Sequence, residues 1–508
     1  MKKAIYIFIF FISQYFFGQQ SNQLWKGYFS YNEIVDVESS TNAVFASTQN
    51  ALFSQVVASS NLNVYNSITG LKPDVITTIH HSDAFNKTFV GNNNGLILIQ
   101  NADGSVTTKV DVIEEVPVPP NKKKINDFFE FNGRLYIATD YGISVIDIAT
   151  SEFISTYFIG TSGEETEVLQ TTVFNNEIYA VTRSFGIRKA NLNNPNLFYF
   201  SQWQTFDTGF WFGIVTFNNQ LIATNANART YRFNGGTAFE VLNHNQAGLK
   251  LKTNGTELIV TTQNNVYVLN QSFSILAHIT QIPNFTVRFT SASVVGGIIY
   301  IGTEKEGLFS TSLSNPTVFT AMSPNGPLQN STFRLKKAPN KIWVVHGDYS
   351  QSFNPYPLDE LGISTFTTDQ GWSVIPYSEL NGAKSLSDIA INPSNQNQVY
   401  VTSYFSGLLK MFGNTIELFN NTNTGANGLE SLVLPGNPSY VDIRINSPAF
   451  DREGNLWVTN AYVNRGIKVL RANGQWQSYN LSGITANLAT GRYNAMAIDK
   501  NSTKWIPA

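Results

Sequence analysis

A short strand–turn–strand pattern recurs along almost the whole chain, and this repetition restricts the fold more than any other feature. In the copy at 298–309, the alternating apolar residues Ile299 and Ile301 lead into a Gly-Thr corner, and a turn ending in Gly307 precedes a second apolar stretch. Alternation with a period of two buries one face of a β-strand. Glycine accepts the positive φ that a tight reversal often needs. The pattern therefore predicts a β-hairpin.

Eleven copies of this pattern can be aligned. They begin at Ala43, Lys87, Arg134, Glu177, Gln220, Glu257, Ile298, Lys341, Gln398, Asn455 and Thr503. Successive copies start roughly 37 to 57 residues apart, a spacing typical of the four-stranded blades of β-propellers. One blade is too thin to be stable alone and stacks on its neighbours around a ring. The sequence thus predicts an all-β fold built from propeller blades.

The copies also predict how the chain divides into domains. Seven of them start between 43 and 298, which is enough for a complete ring, so we expect a seven-bladed β-propeller over residues 22–338. Prolines at 324, 327 and 339 mark an irregular stretch between domains. Residues 339–508 are expected to form about three and a half blades of an incomplete second β-propeller, because a full ring needs about 350 residues. We therefore expect the sequence to be a fragment of a longer protein.

The N-terminus has the features of an export signal. Lys2 and Lys3 precede an apolar run that ends at Phe17, and this run of about 14 residues is shorter than a transmembrane helix requires. We expect residues 1–18 to be a signal peptide and the mature protein to be exported. Residues 24–29 resemble later outer strands, so they are expected to complete the last blade of the first ring and to remove its open edge.

Composition excludes several classes of function. The chain has no cysteine, so disulfides and thiolate chemistry are not available to it. Charged residues are 13% and the formal net charge is -2. A nucleic-acid-binding protein needs a basic surface to neutralise phosphates, and this chain has no such excess of positive charge.

Motifs for catalysis or metal binding are not found. The five histidines have no partners at metal-ligand spacing, and they are expected to be structural or surface residues. They are His80, His81, His244, His278 and His346. Asp451–Asn455 lacks the alternating oxygen ligands of a calcium loop, and 499–503 occupies the same place before the next strand, which favours a repeat turn. We expect no metal, no cofactor and no enzymatic activity. A polysaccharide lyase or hydrolase would instead require acidic, histidine or tyrosine residues clustered at the propeller axis.

One aromatic stretch is a candidate ligand site. Trp203, Phe210 and Trp211 fall within eleven consecutive residues, and aromatic rings on a propeller rim can stack on sugar faces. Arg183, Arg188 or Arg229 lies nearby in the sequence and can supply a cation for an anionic group, and Arg229 is the candidate we retain. The alternative is that these aromatic residues form blade core.

The repeats resemble those of a known class. Lys341–Val345 and Asn455–Thr459, with the turn before the latter, resemble the regulator propeller repeats of Bacteroidota two-component sensors. The order of export signal, cysteine-free seven-bladed propeller, an insertion at 347–357 and a second propeller resembles the PorZ family of type IX secretion system surface proteins. The insertion itself is expected to be a packed inter-domain loop.

This resemblance implies a function without catalysis. Members of the family carry two propellers and a C-terminal sorting domain, and they act in an attachment complex with PorU, PorV and PorQ. The resemblance further implies binding of anionic lipopolysaccharide, its delivery for attachment to secreted cargo, and a location at the cell surface or outer membrane. The alternative is a periplasmic sensor of a hybrid two-component system whose propellers detect oligosaccharides. A transmembrane helix and kinase after residue 508 would favour the sensor, whereas a β-sandwich would favour secretion.

Overall fold

The computed structural model describes residues 26–59, 61–347, 349–481, 493 and 495–507. The expected signal peptide at 1–18 lies outside these residues. Apart from three short 3-10 helices, at Pro120–Lys122, Phe200–Gln202 and Tyr377–Glu379, the regular structure described is all β. No helix of the described residues is both long and apolar enough to cross a membrane. The chain divides into two compact units between Pro324 and Asn325.

The first unit contains seven four-stranded antiparallel sheets, each made of four consecutive strands. We call these sheets the first to seventh blades. The first three are β1 Ile34–Ser39, β2 Ala43–Thr48, β3 Leu52–Val56, β4 Leu62–Tyr65; β5 Ile76–Ser82, β6 Lys87–Asn92, β7 Ile97–Gln100, β8 Val106–Lys109; and β9 Ile125–Phe131, β10 Arg134–Thr139, β11 Ile143–Asp147, β12 Phe153–Tyr157.

The fourth to seventh blades follow the same order of strands along the chain. They are β13 Val168–Phe174, β14 Glu177–Thr182, β15 Gly186–Asn191, β16 Gln204–Asp207; β17 Trp211–Phe217, β18 Gln220–Asn225, β19 Arg229–Asn234, β20 Thr237–Asn243; β21 Gly248–Thr253, β22 Leu258–Thr262, β23 Val266–Leu269, β24 Ile275–Ile279; and β25 Phe289–Val295, β26 Ile298–Thr303, β27 Leu308–Ser312, β28 Asn315–Ala321.

The seven blades form a closed ring. The first strand of each blade packs against the first strand of the next, and β25 of the seventh blade packs against β1 of the first. The seven-bladed β-propeller expected from the repeats is therefore confirmed.

Apolar cores lie between neighbouring blades. Ile299 and Ile301 of β26 face the sixth blade, where they pack in one buried cluster with Ile259 and Val266. Tyr300, between them, lies in the cluster shared with the first blade. Both faces of the strand are thus buried, and full burial of an isoleucine side chain is worth roughly 1.5–3 kcal/mol.

Ring closure differs from the sequence expectation. Residues 26–33 form no strand, so within the described residues the seventh blade gains no strand from the N-terminus. Instead, the Gly307 amide donates a hydrogen bond of 2.8 Å to the Asn32 carbonyl. The Ser323 hydroxyl donates one of 3.1 Å to the Tyr31 carbonyl. The expected closing strand is replaced by these contacts because β25–β28 already complete the seventh sheet.

The second unit contains three four-stranded sheets and one two-stranded sheet among the described residues. Their strands are β29 Arg334–Lys337, β30 Ile342–Val345, β31 Ile363–Thr367, β32 Gly371–Ile375; β33 Leu386–Ile391, β34 Gln398–Ser403, β35 Gly407–Phe412, β36 Thr415–Phe419; β37 Ile445–Phe450, β38 Leu456–Asn460, β39 Ile467–Leu470, β40 Trp476–Tyr479; and β41 Ala497–Ile498, β42 Lys504–Trp505. Strands β29, β33, β37 and β41 pack in succession, as in the first part of a β-propeller.

The boundary between the units lies earlier than the expected end of the first domain at 338. Strand β29 pairs with β30, so the residues just before 338 belong to the first sheet of the second unit. Asn325 also belongs there, since its side-chain oxygen accepts a hydrogen bond of 2.8 Å from the Trp372 amide. The boundary between the two units thus lies within the proline-rich stretch, near its beginning.

The turn at Asp451 matches its interpretation as a repeated structural element. Asp451 Oδ1 accepts a backbone hydrogen bond from Asn455, and its Oδ2 accepts one of 2.7 Å from the Trp457 indole. Asp499 accepts in the same way from the Thr503 amide and the Trp505 indole. In each case an aspartate holds the turn and fixes the tryptophan of the following strand.

Candidate functional site

The first strands of the seven blades share a β-bulge, and it determines which side chains reach the propeller axis. Strands β1, β5, β9, β13, β17, β21 and β25 each shift register by one residue near their first pair. A bulge of this kind inserts one unpaired residue and re-aims those that follow. The position just after the extra residue is occupied by Asp36, Thr78, Asp127, Gln170, Gly213, Lys250 and Ser291.

Asp36 is the most enclosed charge near the axis. Its side chain is 1% exposed and pairs with Lys252 at 2.8 Å and Lys250 at 3.7 Å. Hydroxyl groups of Ser291 and Thr78 donate hydrogen bonds of 2.8 and 2.9 Å to it. Burial opposes its ionisation, but the two lysines and these donors outweigh burial and hold the pKa of Asp36 below its usual range. Asp36 therefore connects the first blade with three others.

His80 of the second blade bridges two carboxylates. Its Nε2 lies 3.0 Å from Glu130 Oε2 of the third blade, and its Nδ1 lies 3.5 Å from Glu38 Oε1 of the first. Burial disfavours the imidazolium, yet the two carboxylates prevail and raise the pKa of His80 to about 9. Glu38 also pairs with Lys252 at 3.0 Å. A continuous line of ion pairs thus runs from the third blade to the sixth.

Gln170 makes a second connection between blades on the other side of the ring. Its Nε2 donates a hydrogen bond of 3.0 Å to the Leu251 carbonyl of the sixth blade. Its Oε1 accepts one of 2.8 Å from the Ile214 amide of the fifth blade. A single side chain thereby joins three consecutive blades.

A cavity of about 260 Å³ lies among these residues. Its lining includes Glu38, His80, Asp127, Glu130 and Lys252. Asp127 differs from the other charged residues, because it makes no hydrogen bond or ion pair with any described residue. Burial raises the pKa of Asp127 to about 6. We take this axial cavity as the candidate functional site.

The axial cavity has the acidic and histidine residues that a polysaccharide-cleaving propeller would require. Most of them neutralise one another, however, since His80 is shared between two glutamates and Lys252 is bonded to Asp36 and Glu38. These pairs connect the first, second, third and sixth blades across the axis. Among the residues that the structure describes, no group of three or more acidic or histidine side chains is arranged to hold a metal ion.

The aromatic residues predicted to bind a ligand do not assemble into one site. Trp203 is buried between the third and fourth blades, and its indole donates to the Leu197 carbonyl. Trp211 is buried between the fourth and fifth blades, and its indole donates to Asp207. Phe210 is 76% exposed. Arg229 pairs at the surface with Glu240 at 2.7 Å. Both tryptophans thus serve the blade cores, and a ligand-binding role for these four residues stays a prediction.

The two other arginines considered for this site are also occupied. Arg183 pairs with Glu167 at 3.0 Å. Arg188 is buried and donates to the carbonyls of Ile159 and Trp203.

The insertion at 347–357 packs within its own unit. The side-chain amide of Asn446 donates a hydrogen bond of 2.8 Å to the Tyr349 hydroxyl, and the Arg444 guanidinium donates one of 3.0 Å to the Phe353 carbonyl. The hydroxyl groups of Tyr356 and Tyr440 lie 2.6 Å apart. These contacts fix the loop against the strand β37 region.

The repeats and motifs of the sequence do not identify the axial residues as a site. A signal for them exists, because charged side chains on the first strand of a blade interrupt an otherwise buried strand. Glu38 and Lys252 hold equivalent places two residues after Asp36 and Lys250. Recognising these positions requires alignment of the first strands on their bulges, whereas the repeat pattern lies on the second strands.

Comparison with known proteins supports the resemblance. Residues 44–204 match the family model described as TSS9, PorZ, N-terminal beta-propeller domain. The resemblance to PorZ is therefore confirmed for this part of the chain. No curated protein sequence matches the chain.

Among solved structures, the chain is similar to PorZ, described as an essential bacterial surface component of the type-IX secretion system of Porphyromonas gingivalis. The TM-score is 0.81 with 17% identity over 95% of this chain and 63% of that one. The chain thus spans less than two thirds of the length of PorZ, and the likeness shows the fold. The extracellular domain of a hybrid two component system from B. thetaiotaomicron gives a TM-score of 0.45 at 13% identity, covering 94% of this chain and 68% of that one.

Proposed function

We propose that this chain is the propeller region of a PorZ-like surface component of the type IX secretion system. In this role it binds anionic lipopolysaccharide and delivers it to an attachment complex containing PorU, PorV and PorQ, where the lipid is joined to secreted cargo. The observation that carries the proposal is the family match over residues 44–204. The seven-bladed ring followed by part of a second propeller, the same fold as PorZ, is consistent with it.

The proposed role does not include catalysis. The charged groups at the axis of the first propeller are mostly bonded to each other, as His80 is to Glu38 and Glu130. A propeller that docks partners and ligands needs a stable ring with exposed rims, and these ion pairs join its blades across the axis. In this role the protein would act at the cell surface or outer membrane.

Two experiments test this function. The first is disruption of the gene in its source organism, followed by measurement of cargo on the cell surface and in the medium. We expect cargo to be released without attached lipopolysaccharide, and anchoring to return when the gene is restored. Cargo that stays anchored in the disrupted strain would refute the secretion role.

The second experiment measures binding of purified anionic lipopolysaccharide to the protein, with neutral lipopolysaccharide as the comparison. The variant Phe210→Ala removes the exposed ring of the predicted aromatic site. Phe412→Ala is the matched control, since Phe412 is 51% exposed and lies in the second unit. We expect weaker binding for Phe210→Ala alone. Equal binding by both variants would remove Phe210 from the site, and no preference for the anionic form would contradict the delivery role.

Incubation with the same polysaccharide also tests the absence of catalysis. We expect no new reducing ends and no unsaturated products. If such products accumulate with time, and if the His80→Gln variant no longer forms them, the protein cleaves polysaccharide and the proposed function is wrong.

A further inference from the structure

We propose that the axial cavity of the first propeller binds a small organic ammonium ion, with the Asp127 carboxylate as its acceptor. This inference goes beyond the secretion role and does not depend on it. It concerns a small molecule or a small amino-bearing group, and it applies to the first propeller alone.

The first support is the space available. The cavity has a volume of about 260 Å³, and one water takes about 30 Å³ in the liquid, so the cavity holds several water-sized groups. This volume lies near the lower end of the range for small-molecule sites, about 300 Å³. The half-buried Phe129 is part of the lining, and an aromatic face attracts a cation.

The second support is that one carboxylate is left over. Asp36, Glu38 and Glu130 each have a basic partner within 3.0 Å. Asp127 also lines the cavity and feels the charges of Lys250 and Lys252, but it makes no hydrogen bond and no ion pair within 4.0 Å with any described residue. Asp127 is half-buried, and a carboxylate that has lost part of its contact with water gains from a cationic partner. A cationic ligand would supply the missing partner.

The charge balance favours a cation over an anion or a neutral ligand. The axial groups comprise four acids against three bases, which leaves one negative charge when all are ionised. They are Asp36, Glu38, Asp127 and Glu130, and Lys250, Lys252 and His80. A divalent metal ion needs several converging oxygen ligands. Since no such group is found among the described residues, the cation is best supplied by an ammonium group, which needs few acceptors.

The test compares D-glucosamine with D-glucose by isothermal titration of the purified protein at neutral pH. The two sugars differ at one position, where the amino group of glucosamine replaces a hydroxyl group. We expect saturable binding of glucosamine and at least tenfold weaker binding of glucose. Equal affinity for both sugars, or no saturable binding of glucosamine, overturns the proposal. This comparison needs no variant and does not involve lipopolysaccharide.

The second part of the test uses Asp127→Asn, which keeps the size of the side chain and removes its charge. We expect a loss of glucosamine affinity of at least tenfold, with an unchanged or higher melting temperature of the free protein because an unpaired charge has been removed. Asp103→Asn is the matched control, since Asp103 is exposed in a turn of the same propeller. If Asp127→Asn binds glucosamine as the control does, the carboxylate is not the acceptor and the proposal fails.

Discussion

Lys252 Nζ lies 2.8 Å from Asp36 Oδ1, so a buried ion pair joins the sixth blade to the first, two blades that are not neighbours in the ring. The same ammonium group donates to the Val37 carbonyl at 2.7 Å. Contacts of this kind fix the relative positions of blades that share no core. They lead to predictions about the stability of the ring.

Replacing Lys252 by methionine keeps most of the apolar stem but leaves Asp36 and Glu38 without their strongest partner. Removing one member of a buried ion pair costs about 3 to 5 kcal/mol. We expect a loss of this size in the free energy of unfolding, measured by urea denaturation. Lys410→Met is the control, because its surface pair with Glu417, at 3.8 Å, is worth about 1 kcal/mol or less. Similar losses of unfolding free energy in both variants would show that the axial ion pair contributes no more to stability than the surface pair does.

His80 makes the stability of the protein dependent on pH. The pKa of His80 is raised to about 9 from an ordinary value near 6.5, so its contribution is complete below about pH 6.5 and is lost as the pH rises through 9. At 1.36 kcal/mol for each pKa unit, a rise of about 2.5 units makes the loss at most about 3.4 kcal/mol.

The measurement for His80 is the difference in unfolding free energy between the native chain and His80→Gln, taken from pH 6 to pH 10. This difference removes contributions from other groups such as Lys468, whose burial lowers its pKa to about 8. We expect the advantage of the native chain to shrink steadily over this range. A constant difference would mean that His80 is not charged in the folded protein.

Gln170→Leu removes one side chain that serves two other blades. The Ile214 amide and the Leu251 carbonyl both lose a partner. A buried polar group left without a partner costs about 1–3 kcal/mol, so a decrease of about 2 kcal/mol or more is expected in the unfolding free energy. Gln271→Leu is the control at an exposed position. A destabilisation no larger than that of the control would be inconsistent with the bridging role.

Asp451→Ala tests the structural role of the turn before β38. It removes the acceptor for the Trp457 indole and for two backbone amides, those of Glu453 and Asn455. We expect the melting temperature to fall and the fluorescence of Trp457 to shift towards that of an exposed indole. Added calcium is expected to change neither property in the native chain. A calcium-dependent rise in melting temperature that is lost in Asp451→Ala would instead identify a metal site.

The strands of the blades were more predictable from the sequence than the charged residues at the propeller axis. Strands such as Ala43–Thr48 and Ile298–Thr303 were predictable because a buried strand is specified locally, by alternation and by the turns on either side.

The pairing of Asp36 with Lys252 could not be predicted in the same way. It depends on the registers of two strands that meet only when the ring closes, and a one-residue bulge at the start of each strand sets those registers. The same limit applies to Trp203 and Trp211. Their spacing is compatible with a surface platform, and only the path of β15 to β17 places them in two different cores.

Among the described residues, no strand is shared between the first and seventh blades, and this has a mechanical consequence. Six junctions in the ring are also joined by the continuous chain, whereas the junction of β1 with β25 is held by packing and by side-chain bonds such as that from Ser291 to Asp36. A pulling force applied across the two ends of the first unit would therefore separate β1 from β25 before any other pair of blades. The Lys252–Asp36 ion pair would break as this junction opens, and the blades would then separate one after another.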